Sequence, residues 1–188
     1  MRRKRVLGDK TPRSAPALQH IRVRARAGRP SEGWLSAGHL RLRVALGTSG
    51  IRASKREGDG GTPHGAFRLV RLWWRKDRTP RPRTLLPIRQ IAESDAWCEN
   101  PADRRYNRPI RLDGDAMGDR LWRDDHLYDF LIELDHNTRP RVSGRGSAVF
   151  VHLARPGFRP TAGCVALAPE SFRRLLARLG PNTRIVIG

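Results

Sequence analysis

Hydrophobic and polar positions alternate through much of this chain. From Ile21, IRVRARA sets an apolar residue against an arginine at every second position, the period of a half-exposed strand. Gly28-Arg29-Pro30 reads as a turn, and Leu40 to Leu46 (LRLRVAL) repeats the alternation before Gly47-Thr48-Ser49-Gly50 breaks it. Gly58 to Gly65 is a glycine-rich loop, and Ala66 to Trp74 (AFRLVRLWW) a strand. Tyr128 to Leu134 predicts another strand, with Asp135-His136-Asn137 as its turn. Near the end the period changes. Phe172, Leu175, Leu176 and Leu179 fall at i, i+3, i+4 and i+7, one apolar helix face over Pro169 to Leu179. Pro169 suits the first turn and Gly180 the position past the last. Arg184 to Ile187 closes the chain as a strand. The pattern is that of a mainly β, sandwich-like domain with a single C-terminal amphipathic helix.

Residues 75 to 125 break both periods. RKDRTPRPRTLLPIRQ is basic and interrupted by proline; Trp97, Cys98, Tyr106 and Trp122 follow among polar residues. A long irregular segment inside a compact domain is either functional or disordered, and its aromatics argue for order. It is expected to fold over the sheet as an insertion that walls a cleft, with Trp97, Tyr106 and Trp122 as substrate-contacting candidates.

With 188 residues the chain suits one domain with an ordinary core. Residues 1–18, basic and rich in Pro and Ser, read as a disordered tail ahead of a domain over 19–188. No apolar run is long enough to span a membrane. The opening MRRKRVLGDK has the charge of a signal peptide's first part but lacks the apolar stretch, so no export signal is visible. The net charge of +20 points to nucleic acid, to another anionic polymer, or to an arginine-rich coding bias. Zinc-finger spacing and RNA-binding aromatic signatures are missing, so specific nucleic-acid binding is not expected. The glycine loop lacks the Gly-Lys-Ser/Thr ending of a phosphate cradle. Two cysteines, Cys98 and Cys164, make neither a disulfide framework nor a metal site, and no cofactor is called for. Cys98 is read as a free, packed thiol.

The chemistry concentrates in Ser147 to Leu167, SAVFVHLARPGFRPTAGCVAL. An apolar run, Ala148 to Val151, ends at His152. A loop from Ala154 to Pro160, unsuited to helix because of Pro156, Gly157 and Pro160, leads to Thr161-Ala162-Gly163-Cys164 and a second apolar run, Val165-Ala166-Leu167. This order can bring an imidazole beside a thiol, a base beside a nucleophile, with the amides of Gly163 and Cys164 facing a developing oxyanion. A buried structural cysteine and a satisfied core histidine are the other reading. His64, His126 and His136 lie in turn-like or loop settings and are expected to be surface or structural residues.

The stretch resembles the catalytic motif of the L,D-transpeptidase (YkuD-type) family: a His at a strand end, a loop, Ser/Thr-His-Gly-Cys, an aliphatic residue, then Arg or Asn. Here His152, Thr161, Gly163, Cys164 and Val165 keep the pattern, and Ala162 and Ala166 replace the second His and the Arg or Asn. A second signature, Thr-Pro-x-Gly-x-Phe, is matched by Thr62 to Phe67 within GDGGTPHGAF. The resemblance implies a β-sandwich of mixed sheets with the cysteine at the cleft. It implies Cys164 as nucleophile, His152 as proton donor and acceptor, Gly163 as an oxyanion donor and Thr161 as a site residue. The implied reaction is acyl transfer on peptidoglycan stem peptides in the cell envelope, by a monomer without metal or cofactor. Water as acceptor would make it an L,D-carboxypeptidase or amidase; a non-catalytic cell-wall-binding member is the alternative from another class. With Ala166 in place of the Arg or Asn, Arg155 and Arg159 are the candidates for holding the substrate's carboxylate, Arg159 foremost because it lies nearer the cysteine in sequence.

Overall fold

The computed structural model describes residues 16–113 and 118–188. Strands dominate. β1 (His20–Arg26), β2 (Arg29–Ala37) and β3 (Leu40–Ala45) form an antiparallel meander. Short β4 (Ile51–Arg52) and β5 (Thr62–Pro63) pair with each other and precede the long β6 (Gly65–Trp74). β7 (Ile88–Gln90), β8 (Asp95–Trp97), β9 (Pro109–Arg111) and β10 (Asp119–Arg120) lie in the irregular segment. After them come β11 (Phe130–Leu134), β12 (Phe150–Leu153), β13 (Val165–Leu167), helix α1 (Pro169–Leu176) and β14 (Arg184–Ile187).

The main sheet has nine strands in the order β11-β12-β13-β3-β2-β1-β14-β6-β7, and β6 also pairs with β11. β6 manages both because it is long: Gly65 to Arg68 face β14, while Leu69 to Trp74 face β11. The sheet therefore closes on itself. It is mixed, since β1–β14, β12–β13 and β6–β7 are parallel and the other pairings antiparallel.

The alternation read from the sequence sorts side chains as expected. Ile21, Val23, Leu42, Val44, Ile185 and Ile187 are buried inside, and Phe172, Leu175, Leu176 and Leu179 of the helix segment pack with them. Residues 1–15, most of the expected tail, lie outside the described residues. Leu18 is already tied down: its N–H donates to Arg178 O, and its carbonyl accepts from Thr183 Oγ1 at 2.6 Å.

Three local expectations are corrected. Arg29 and Pro30 open β2 rather than merely turning the chain; β1 and β3 on either side supply the pairing that the sequence Arg-Pro-Ser-Glu-Gly does not advertise. Helix α1 stops at Leu176, although Leu179 remains buried. The loop after His152 contains a 3-10 turn, Pro156–Phe158, in which Gly157 has φ 74°.

The irregular segment is built as an insertion over the outer face of the sheet. β8, β9 and β10 make a small sheet of their own, and Trp97, Leu121, Leu127 and Tyr128 pack with Trp73, Leu131 and Phe150 in a second core. β11 shows the sorting: Phe130, Ile132 and Leu134 point into the closed sheet and Leu131 toward the insertion. β12 and β13 are thus covered on both faces, which is why they read as continuous apolar runs.

Candidate active site

Parallel pairing of β12 with β13 sets Val151 against Val165 and His152 against Ala166. Side chains alternate along a strand, so Val151, Leu153, Val165 and Leu167 go to the inner core, while Phe150, His152, Cys164 and Ala166 share the outer face. Both members of the predicted pair therefore project toward the insertion. They line one cavity of about 430 Å³.

Cys164 enters through a tight turn. Gly163 has φ 144°, and a Cβ there would stand 2.7 Å from Gly61 O, so the glycine-rich loop lies directly against the turn. The Thr161 hydroxyl braces the turn: it accepts from the Gly163 N–H at 3.1 Å and donates to Cys164 O at 2.7 Å. This alters the expected division of labour. The Gly163 amide is occupied within the turn, whereas the Cys164 amide has no acceptor among the described residues.

The thiol is held on both sides. Phe150 N–H donates to Sγ at 3.3 Å, and Sγ donates to Ala148 O at 3.2 Å. Burial pushes the Cys164 thiol up to about 12; the Phe150 amide opposes this, Asp119 and Glu99 add to it, and Lys55 opposes it. His152 is buried as well. Its Nδ1 lies 2.8 Å from Leu153 O. A carbonyl only accepts, so this bond assigns the proton to Nδ1 and leaves Nε2 as the basic nitrogen. Burial lowers His152 to about 4; the Leu153 carbonyl opposes that, and Arg123 and Arg155 reinforce it. At rest the pair is a neutral thiol and a neutral imidazole. No hydrogen bond joins Sγ to the imidazole among the described residues, because the thiol proton is directed to Ala148. The two side chains share one cavity.

The other predicted residues separate into two groups. Thr161, Gly163, Arg155 and Arg159 line the cavity. Trp97, Tyr106 and Trp122 do not: the structure places them in the body of the insertion rather than on the cavity surface. Trp97 is buried behind the wall, edge-on to Phe150 at 5.0 Å with its indole N–H on Asn107. Tyr106 donates to Glu57. Trp122 lies under the Arg75 guanidinium, 3.5 Å from the ring centroid. Large aromatics in a segment short of other apolar residues are spent on its packing. The insertion instead contributes Glu99, Asp119 and Arg123 to the cavity, and Leu127 and Tyr128 just after it complete that wall.

Sequence reasoning missed those charged residues, and also Lys55 and Glu57. Lys55 is only 7 % exposed; its ammonium donates to Asp59 Oδ1 at 2.6 Å and to Arg56 O at 2.7 Å. Burial and then the neighbouring Asp119 and Glu57 raise Glu99 to about 7. The cavity thus has cations in Lys55, Arg123, Arg155 and Arg159 and a carboxyl group of three, Glu57, Glu99 and Asp119. The available signal was weak: Lys55 is one of four lysines, at an i, i+4 spacing from Asp59. Cys98 is fully buried with Ala96 and Ile110. His126 pairs with Asp129 at 2.8 Å and His136 with Arg145 O at 3.1 Å, and neither lines the cavity.

A mainly β, mixed-sheet domain with a thiol and an imidazole on one sheet face beneath a capping insertion defines a cysteine-centred pocket protein. The sequence matches the family of L,D-transpeptidase catalytic domains over residues 30–187, and the chain belongs to that family. The family acts on the cell wall by L,D-transpeptidase-type activity and is typically extracytoplasmic. No curated protein matches the chain. Among the described residues no helix is long and apolar enough to cross a membrane.

Proposed function

We propose that this chain catalyses cysteine-dependent acyl transfer on peptidoglycan stem peptides, with Cys164 forming a thioester. The observation that carries this is the common face of His152 and Cys164 in one cavity, with His152 Nδ1 committed to Leu153 O.

The thiol sulfur attacks the carbonyl that joins an L-centre, typically of diaminopimelate, to a terminal D-Ala. As the C–S bond forms, the thiol proton passes to His152 Nε2, so the neutral resting pair becomes charged only in the presence of substrate. The Cys164 amide donates to the oxyanion; one such donor is typically worth about 100- to 1000-fold in rate. Collapse breaks the C–N bond, and His152 returns the proton to the leaving amine. A second amine then attacks the thioester, giving a crosslink and restoring the thiol. Water in its place gives an L,D-carboxypeptidase outcome. Arg159 takes the substrate's terminal carboxylate, the contact the family's Arg or Asn would help to shape; Ala166 leaves open space on the cavity floor.

The test is intact-protein mass spectrometry with purified muropeptides ending in D-Ala. Wild type should gain the mass of an acyl adduct, and Cys164→Ala should gain none while keeping its fold. Muropeptide binding without any adduct on wild type would replace this reading with a non-catalytic cell-wall binder.

A further inference from the structure

The alternation that fills the core also organises the outside of the sheet. Across the neighbouring strands β3-β2-β1-β14-β6, pairing fixes which outward residues stand side by side. One row is Arg43, Trp34 and Arg24. The next is Arg41, Ser36 and Arg22, continued by Val186 and Ala66. A third is His20, Arg184 and Arg68. All six arginines are exposed. Strands lie about 4.8 Å apart and alternate residues about 6.8 Å apart, so Arg22, Arg24, Arg41 and Arg43 mark the corners of a rectangle of about 7 by 10 Å.

This density of like charge is unfavourable by itself. Arg184 and Arg68 are directly opposite one another, a cross-strand arrangement that destabilises a sheet. The neighbouring carboxylates sit at the margins: Glu32 pairs with Arg43 at 3.5 Å and with Arg26 and Arg29 outside the rows, and Asp135 accepts the Arg68 backbone N–H at 2.7 Å. Arg22, Arg24, Arg41, Arg68 and Arg184 have no ion pair among the described residues. A hollow of about 370 Å³ opens on the same face, with Arg22 and Arg24 on one side and His64, Ala66 and Val186 on the other.

The composition of the face selects its occupant. The large exposed apolar side chains among the described residues are Leu85 and Val142, neither of them here, so the face has no wedge for a lipid bilayer. Its aromatic ring, Trp34, is capped by the Arg41 guanidinium 4.6 Å from the centroid, which leaves no free platform for stacking a base. No helix rises from it to enter a groove. What remains is a grid of planar donors suited to phosphate oxygens. We propose that the outer face of β3-β2-β1-β14-β6 docks an extended, base-free phosphate polymer. The face contributes none of these arginines to the thiol cavity, although its β3 edge borders β13 and Arg43 lies over Phe158 there; the inference rests on the arginine rows and stands apart from the acyl-transfer reading.

The probe is fluorescently labelled long-chain inorganic polyphosphate, titrated at several salt concentrations. Combining Arg22→Gln, Arg24→Gln, Arg41→Gln and Arg184→Gln should weaken binding at least tenfold and lower the log–log salt slope by about 3. Its melting temperature should not fall below that of wild type, since like-charge repulsion is relieved, and its Cys164 alkylation rate should stay that of wild type. A control with Arg81→Gln, Arg83→Gln, Arg120→Gln and Arg174→Gln removes the same charge elsewhere and should bind like wild type. Equal loss in both variants would overturn the proposal in favour of net charge alone. Tighter binding to single-stranded DNA of equal phosphate number would overturn it by showing that bases are read. Variant-sensitive binding to phosphatidylglycerol vesicles but not to polyphosphate would overturn it in favour of a membrane surface.

Discussion

Lys55 and Asp59 form a close ion pair, Nζ to Oδ1 at 2.6 Å, at the edge of the cavity that holds Cys164. The lysine stem also runs beside the nucleophile turn, its Cε 3.6 Å from where a Gly163 Cβ would stand. Lys55 can act as a cation toward the thiol or as a strut for the glycine-rich loop, and two variants give opposite answers. Lys55→Met removes the positive field and should slow iodoacetamide alkylation of Cys164 at fixed pH by about three- to tenfold. Asp59→Asn keeps the ammonium and neutralises its partner, so alkylation should become faster. A strut alone would make the two variants change in the same direction. In wild type the rate should still climb about tenfold per pH unit at pH 9, because the thiol sits at about 12.

Thr161 is a positioning residue. Thr161→Val leaves the Gly163 N–H and Cys164 O without their shared partner and should cost about 1–3 kcal/mol in unfolding free energy. Turnover should fall through kcat more than through KM. Thr161→Ser restores the hydroxyl and should recover both. Failure of the serine variant to rescue would show that the methyl group, not the hydrogen bonds, is what the turn requires.

Arg155 and Arg159 both line the cavity, and the proposed mechanism gives the carboxylate contact to Arg159. The charge of Arg155 bears on His152. Arg159→Ala should therefore reduce kcat/KM for stems ending in a free carboxylate by about tenfold or more, with much less effect on an amidated stem. Equal rates for wild type and variant on the free-acid stem would remove Arg159 from the site and turn attention to Arg123.

His152 carries an acid-stability signature. Its folded value of about 4 lies below the ordinary histidine range, so the unfolded chain binds the proton first as pH falls. The neutral histidine costs nothing above about pH 6.5, and stability is lost as pH drops from there toward 4. Between pH 7.5 and 4.5 the loss from this group is about 2–3 kcal/mol. His152→Gln should lower the acid sensitivity of unfolding by that amount, measured by urea titration at the two pH values. An unchanged pH dependence would mean that the imidazole is solvated.

The legible parts of the chain are those where one face is wet and the other dry. β1, β3 and β14 alternate, and α1 carries a single apolar stripe, so each was visible in the sequence. β2 was not: its first half is Arg-Pro-Ser-Glu-Gly, and Gly33 is required only by a neighbour, since a Cβ there would lie 2.5 Å from Arg24 O. Cys164 and His152 were legible because the whole unit is local, two strands and a loop. Lys55, Glu99 and Asp119 arrive from two loops and the short strand β10, and no local period marks a residue whose neighbours are set by tertiary packing. The position of the insertion's aromatics relative to the cavity was not legible, because a tryptophan that lines a cleft and one that builds its wall have the same local sequence.

The two hydrogen bonds on Sγ bear on how long the protein lasts. Peroxide attacks thiolates, and a buried, neutral thiol whose proton rests on Ala148 O presents little thiolate to attack. Cys98, in a separate apolar cluster, does not stand ready as a disulfide partner. In the extracytoplasmic setting typical of the family, this resting geometry would amount to oxidative storage: the sulfur stays reduced until something displaces its proton.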